Sequence, residues 1–128
     1  MTEVNKPKSG NLITRRVVGA SRYSKQGLQA CFRHEEAFRT EVFIGVVLTP
    51  VALWLASNGV DLVLLFGSML LVLIVELLNS SLEALADLHG TEHNELIGRA
   101  KDQGSAAVML SMALFLLTWA TVLWQRFV

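Results

Sequence analysis

After eleven largely polar residues, the pattern of apolar positions changes character several times along the chain. Ile13, Val17 and Ala20 recur at i, i+4 and i+7, and Leu28, Cys31 and Phe32 at i, i+3 and i+4. Arg15, Arg16, Arg22, Lys25 and Arg33 fill much of the space between them. This period predicts an amphipathic helix over about 12–34, apolar side toward a bilayer and cations among head groups, with Gly27 expected to divide it in two. Periodicity then gives way to continuous apolar runs. Val42 to Ala56 is apolar for fifteen residues and contains Pro50, an expected kink; Leu62 to Val75 is uncharged for fourteen, and Ala106 to Trp124 for nineteen. Only the last crosses a hydrocarbon layer of ~30 Å unaided at ~1.5 Å per residue. The other two become spans by association with it. Ser57-Asn58-Gly59 reads as a tight turn that makes a hairpin of the first two. Helices containing the spans are expected over about 36–57, 60–88 and 100–125. The predicted fold is all-α and integral to a membrane: three transmembrane helices plus an N-terminal amphipathic surface helix, in one domain.

Composition supports this reading, and charge gives it a direction. Of 128 residues 52% are hydrophobic and 17% charged, where a soluble domain carries about a quarter charged. A disordered chain and a soluble two-domain enzyme are both excluded. Eleven Lys/Arg balance eleven Asp/Glu, but eight of the basic residues precede Val42, against four acids. The 58–61 turn holds no Lys or Arg, the 87–104 connection holds Arg99 and Lys101, and the tail holds Arg126. The positive-inside rule then predicts a cytoplasmic N-terminus and second loop, in a multi-pass protein of a bacterial inner (cytoplasmic) membrane. The cations carry no nucleic-acid motif, and no nucleic-acid partner is expected. Cys31 is the single cysteine, so no internal disulfide forms, and it reads as a small apolar helix residue. The polar start lacks the apolar core of a secretory signal, and no cleavage is expected there.

The informative chemistry is a stripe on the second span. Glu76, Asn79, Ser80, Glu83 and Asp87 follow the spacing i, i+3, i+4, i+7 and i+11, which places them on one helix face. The stripe begins directly against the fourteen uncharged residues. An ionised acid costs ~2.5–3.5 kcal/mol at the centre of a membrane helix and less toward its edge, so Glu76 is a functional candidate by its position. The other reading is a structural acid held inside a bundle. Glu76 and Glu83 lie roughly 10 Å apart along the axis, too far to share one ion unaided. The spacing suits a division of labour, with one carboxylate at the lipid boundary and one among phosphates and metal. Mg2+ takes one or two carboxylates plus phosphate oxygens and water, and Glu35, Glu36 or Glu41 is placed to supply the second. Gly98-Arg99-Ala100-Lys101-Asp102-Gln103-Gly104-Ser105, entering the third span, offers cations for a polyphosphate and a glycine for close approach, or simply anchors a helix start. His89 and His93, four apart, lack a third ligand for zinc. No P-loop, GxGxxG loop or HRD-type catalytic segment occurs.

These residues carry a resemblance. Glu76-Leu77-Leu78-Asn79-Ser80-Ser81-Leu82-Glu83, then Asp87, then Gly98-Arg99-Ala100-Lys101-Asp102 with Gly104-Ser105-Ala106-Ala107-Val108, resembles the prokaryotic diacylglycerol kinase family. Tyr23-Ser24, Gly27-Leu28, Glu35, Ala37-Phe38-Arg39 and Glu41 match it as well, so the likeness runs from about Thr14 to Trp124. It implies a homotrimer with active sites between subunits at the cytoplasmic membrane surface. It implies transfer of the γ-phosphoryl group from ATP, with Mg2+, to the hydroxyl of diacylglycerol, giving phosphatidic acid. By the same resemblance Glu76 is the catalytic base, with Asn79 beside it, and Glu35 and Glu83 are metal and nucleotide ligands. Arg16, Tyr23, Glu92, His93, Asn94, Lys101 and Asp102 are nucleotide contacts. Arg39, Glu41, Glu76, Ser105 and Trp119 fall on the lipid-substrate side. Thr40 and His34 depart from the family's pattern, which has Gln and Asn there. A related branch phosphorylates undecaprenol and tends to have alanines in place of Gly104-Ser105, which makes undecaprenol the alternative substrate.

Two functions of other classes fit parts of the sequence. A proton- or ion-conducting oligomer would use Glu76 as a relay, but the stripe occupies one end of its span only. A non-catalytic membrane scaffold needs the amphipathic helix alone and leaves the stripe without a purpose.

Overall fold

The computed structural model describes residues 11–90 and 94–128. Four helices follow in order: α1 (Leu12–His34), α2 (Glu36–Leu55), α3 (Gly59–Leu88) and α4 (Glu95–Phe127). No strand occurs among the described residues. The last three helices are each long and apolar enough to cross a membrane. At ~1.5 Å per residue α2 is about 30 Å long, whereas α3 and α4 reach about 45 and 50 Å, so both outrun a hydrocarbon layer of ~30 Å.

Side chains at the helix ends explain where the elements begin and stop. Asn58 Oδ1 accepts from the Asp61 amide at 2.9 Å, and Asp61 Oδ2 accepts in return from the Ser57 amide at 3.0 Å. This reciprocal cap starts α3 and closes the α2–α3 hairpin. At the other end of α3 the chain turns through Gly90, whose φ of 82° lies in the left-handed region that favours glycine. Asn94 Oδ1 accepts from the amides of Leu96 (2.9 Å) and Ile97 (3.4 Å) and starts α4 at Glu95, upstream of the expected 100. The apolar count located only the span, and the cap extends the helix into water beyond it. Helix α1 runs unbroken through Gly27, contrary to the expected division. One interior glycine costs only about 1 kcal/mol against alanine, and neither proline nor capping side chain stands there to end the helix. Helix α2 likewise stays helical through Pro50.

Hydroxyls along the spans bond to their own helices, as a medium without water demands. Thr49 donates to Gly45 O, Ser68 to Leu65 O, Ser111 to Val108 O, Thr118 to Leu114 O and Thr121 to Leu117 O. Helix α3 packs most extensively on α4, next on α2, while α1 meets only the first part of α2 and part of α3. The core lies at the hairpin end, where Ala52, Leu55, Leu65, Met69, Trp119 and Val122 are buried together. Trp54 and Phe127 rings meet at 5.9 Å at that same end, and exposed Trp124 completes an aromatic belt of the kind found at membrane interfaces. The accessible surface is 10182 Å², well above the roughly 6,700 Å² of a water-soluble monomer of this mass. Large apolar side chains on the span exteriors, Phe43, Val46, Leu116 and Leu117 among them, are exposed. Such a surface is stable only against lipid or other apolar protein.

Candidate active site

The site lies at the end of the bundle opposite the core, where α3 passes between α1, α2 and α4. Glu76 is buried at 6% exposure. Glu35, in the link between α1 and α2, and Glu83 interact with it electrostatically, and so does Glu41 of α2. A carboxylate on each side of Glu76 makes a strongly acidic pocket wall, one that favours cations and donated protons. Glu35 itself follows from a local break. Its backbone is extended (φ −113°, ψ 109°), which ends α1 and begins α2 in one residue. Arg39 fixes that corner by donating to the carbonyl oxygens of Phe32 (2.9 Å) and Arg33 (3.0 Å), the last orphan acceptors of α1.

The stripe on α3 does not face one neighbour. Ser80 turns toward α1, where Cys31 Sγ donates to its Oγ at 3.6 Å, and Cys31 is the buried residue of that otherwise exposed helix. Burial, with the nearby carboxylates of Glu35, Glu76 and Glu41, raises the Cys31 thiol above its ordinary pKa. Asn79 turns toward α4. Its Nδ2 donates to Glu83 Oε1 at 3.3 Å, and its Oδ1 lies beside buried Gly104. Asp87 also faces α4 and pairs with Lys101 at 3.0 Å. Both partners of that pair are exposed, so it is worth ~0–1 kcal/mol and yields to a stronger anion. A shallow groove of about 300 Å³ runs between Asn79 and Leu82 of α3 and Ala100, Gln103 and Gly104 of α4. On the opposite side of α3 a larger, apolar groove of about 860 Å³ opens between Leu28 and Phe32 of α1, Phe38 and Val42 of α2, and Leu73 and Leu77 of α3. Arg33 and Arg39 stand at its edge.

Glu35, Glu41, Glu76, Asn79 and Glu83 are therefore brought together. Lys101, Asp102 and Ser105 lie on the first turns of α4, with Asp102 and Ser105 exposed. Asn94 caps α4, and Thr40, where the family pattern has Gln, donates to Glu36 O. Arg16 and Tyr23 are not brought to the cluster. Both are exposed on α1, roughly 22 and 12 Å along its axis from Cys31, and Tyr23 packs under the Arg22 guanidinium at 5.4 Å. Trp119 is placed in the distant core, where its indole N–H donates to Leu65 O at 3.3 Å. Glu92 and His93 lie outside the described residues. Sequence reasoning missed the Cys31–Ser80 contact and the pairing of Gly104 with Asn79, because both depend on which helix each face of α3 meets. Among the described residues no three His, Cys, Asp or Glu side chains converge to hold a metal. The hard oxygen donors Glu35 and Glu83, which both interact with Glu76, fit an Mg2+ that also takes ligands from a polyphosphate rather than one caged by protein.

The chain has known relatives. Residues 22–123 match the family model described as prokaryotic diacylglycerol kinase. The chain is 44% identical to the diacylglycerol kinase of Escherichia coli over 112 residues, covering 88% of this chain and 92% of that one. It is 43% identical to the diacylglycerol kinase of Pseudomonas aeruginosa over 117 residues, covering 91% and 95%. With the diacylglycerol kinase of Haemophilus influenzae it shares 41% over 107 residues, covering 84% and 91%. Matched along most of its length and through every helix that builds the acidic cluster, the chain belongs to the prokaryotic diacylglycerol kinase family.

Proposed function

We propose that the chain is an ATP-dependent lipid kinase that phosphorylates diacylglycerol to phosphatidic acid at the cytoplasmic face of a bacterial inner membrane. The observation that carries this reading is buried Glu76, set among the carboxylates of Glu35, Glu41 and Glu83 at the end of the bundle where α3 meets the other helices. The apolar groove suits acyl chains entering sideways from the bilayer, with Arg33 and Arg39 at head-group level. The exposed start of α4, with Lys101 exchanging Asp87 for phosphate, suits ATP from the cytoplasm.

In the proposed mechanism the Glu76 carboxylate accepts the proton of the lipid hydroxyl as its oxygen attacks the γ-phosphorus, and ADP leaves. Glu35 and Glu83 would hold Mg2+, which on binding neutralises the charge of the phosphates. Asn79 holds the Glu83 carboxylate from one side. Positioning and charge neutralisation supply most of the acceleration in phosphoryl transfer, so a small helical site suffices. Arg16 and Tyr23 stand too far out along α1 to serve their own chain's cluster. A homotrimer in which each surface helix completes a neighbour's site gives them a role, and the large apolar exterior supports such an assembly. The excess of Lys and Arg before Val42 supports a cytoplasmic N-terminus.

The test is ATP-dependent transfer to diacylglycerol and to undecaprenol, side by side in mixed micelles. Transfer to diacylglycerol in clear preference is expected. Transfer to undecaprenol alone would move the chain to the related branch, and transfer to neither would remove the kinase reading.

A further inference from the structure

Helices α1 and α2 meet at Glu35 with no linker between them: α1 ends at His34 and α2 begins at Glu36. A helix that stops so abruptly leaves its last carbonyl oxygens without amides to accept from. The Glu35 amide still donates to Cys31 O at 2.8 Å. Phe32 O and Arg33 O find their donor in the next helix, where Arg39 Nη1 reaches back across the break to them at 2.9 and 3.0 Å. One Nη1 carries two hydrogens, so both bonds form together, and the positive group meets the negative end of the α1 dipole. The Arg39 amide in turn donates to Glu35 O at 3.2 Å. One residue thus holds the break from both sides, by side chain to α1 and by backbone to Glu35. Glu36, three residues earlier, stands at the spacing of a helical ion pair, yet among the described residues Arg39 pairs with no carboxylate. Its charge is spent on the corner. Glu35 is half-buried at that corner and interacts with Glu76, so the angle between the two helices sets where its carboxylate lies.

We propose that Arg39 is a positioning residue for phosphoryl transfer. By bridging the α1–α2 break it fixes the extended backbone of Glu35 and aims that carboxylate toward metal and nucleotide. The proposal rests on the kinase reading. It moves Arg39 from the lipid-substrate side, where the family resemblance puts it, to the support of the metal ligand.

The experiment measures kcat, the KM for diacylglycerol and the Mg2+ dependence of Arg39→Ala and Arg39→Lys in mixed micelles. Arg39→Ala is expected to raise the half-saturating Mg2+ by roughly 10–100-fold, the range seen when outer partners of a metal ligand are disturbed. The KM for diacylglycerol should move little. Arg39→Lys keeps a charged donor for the two carbonyls but loses the planar fork, so it should recover part of the loss. A raised KM for diacylglycerol with an unchanged Mg2+ requirement would make Arg39 a lipid contact and overturn the proposal. A lowered thermal midpoint with normal kinetics would make it a structural cap only, and overturns the proposal as well. If Arg39→Ala fails to assemble, Arg39→Lys decides on the same readouts, and its failure to assemble also counts as a structural role. A second readout needs no turnover. In hydrogen–deuterium exchange, peptides spanning Glu35 should exchange faster in Arg39→Ala than in the wild type, because the corner opens more often. Unchanged exchange refutes the bridge. A wild-type protein that transfers no phosphate would count against the kinase reading alone, since exchange still reports the corner.

Discussion

Glu76 and Glu83 are both carboxylates on one helix, and their surroundings separate their roles. Glu76 is buried among other carboxylates; Glu83 is half-buried and tethered to Asn79. Glu76→Gln keeps the shape and removes the proposed proton acceptor, so turnover should fall by roughly 10²–10⁴, the contribution of general-base catalysis. Size-exclusion elution should be unchanged, and near-normal turnover would mean that the hydroxyl is deprotonated elsewhere. Glu83→Gln should chiefly raise the Mg2+ requirement, by roughly 10–100-fold; an unchanged Mg2+ titration would take Glu83 out of the metal site. Cys31 offers a test against pH. Burial first, and the facing carboxylates next, hold its thiol above the ordinary range. Its folded pKa exceeds the unfolded one, so the neutral thiol's contribution to stability is complete below the unfolded value and lost as pH rises through the folded one. Iodoacetamide labelling of the folded protein should therefore stay slow through the usual thiol range near 8.5 and accelerate only above it. Labelling that levels off at or below that range would contradict the buried setting.

Among the elements, α4 shows how a cap outside the apolar run shapes a site. Its uncharged core begins near Ala106, yet Asn94 starts the helix eleven residues earlier by taking two orphan amides. That extension holds Lys101, Asp102 and Gly104 in helical register against the stripe of α3. Asn94→Ala should cost about 1 kcal/mol, the usual worth of such a cap, and lower the thermal midpoint in detergent. Asn94→Ser should recover most of it, and equal losses in the two variants would deny that capping is the cause. Helix α1 behaves in the opposite manner. It lies exposed over nearly its whole length and is secured at one end by Cys31, by the Arg39 bonds to its last carbonyls and by the turn at Glu35. The N-terminal part of its apolar stripe, Ile13, Val17 and Ala20, is exposed, which is what a helix resting on lipid requires.

The whole molecule is polarised. Aromatic and aliphatic packing is concentrated at the hairpin end, and ionisable groups gather at the other, so stability and chemistry occupy different ends of the same helices. Trp119 belongs to the first end. Trp119→Ala should destabilise by roughly 3–5 kcal/mol, the cost of emptying a buried aromatic site. Trp119→Phe should lose only about 1 kcal/mol, since the ring volume is mostly kept and Leu65 O retains the Ser68 hydroxyl. Thermal unfolding in detergent distinguishes the two, and equal losses would place the importance of Trp119 outside packing. The separation has a physical basis: a low-dielectric core tolerates few charges, while phosphoryl transfer requires many.

Periodicity and charge determined a good deal without coordinates. The amphipathic helix, the three spans, the hairpin turn at Ser57–Gly59 and the face carrying Glu76, Asn79, Ser80, Glu83 and Asp87 are all written in local spacing, because helical period and hydrophobic length act within one element. The unbroken passage through Gly27 was not legible, since a lone glycine is a small penalty that the rest of a long helix absorbs. Nor was the assignment of partners. A stripe some 100° wide meets three different neighbours: Ser80 reaches Cys31 on α1, Glu76 lies among Glu35 and Glu41, and Asn79 rests on Gly104 of α4. Side chains that share a helix face in sequence are separated by helix packing, and packing depends on residues tens of positions away. Tertiary structure alone decided that Trp119 is core and that Gly104 makes room for an asparagine.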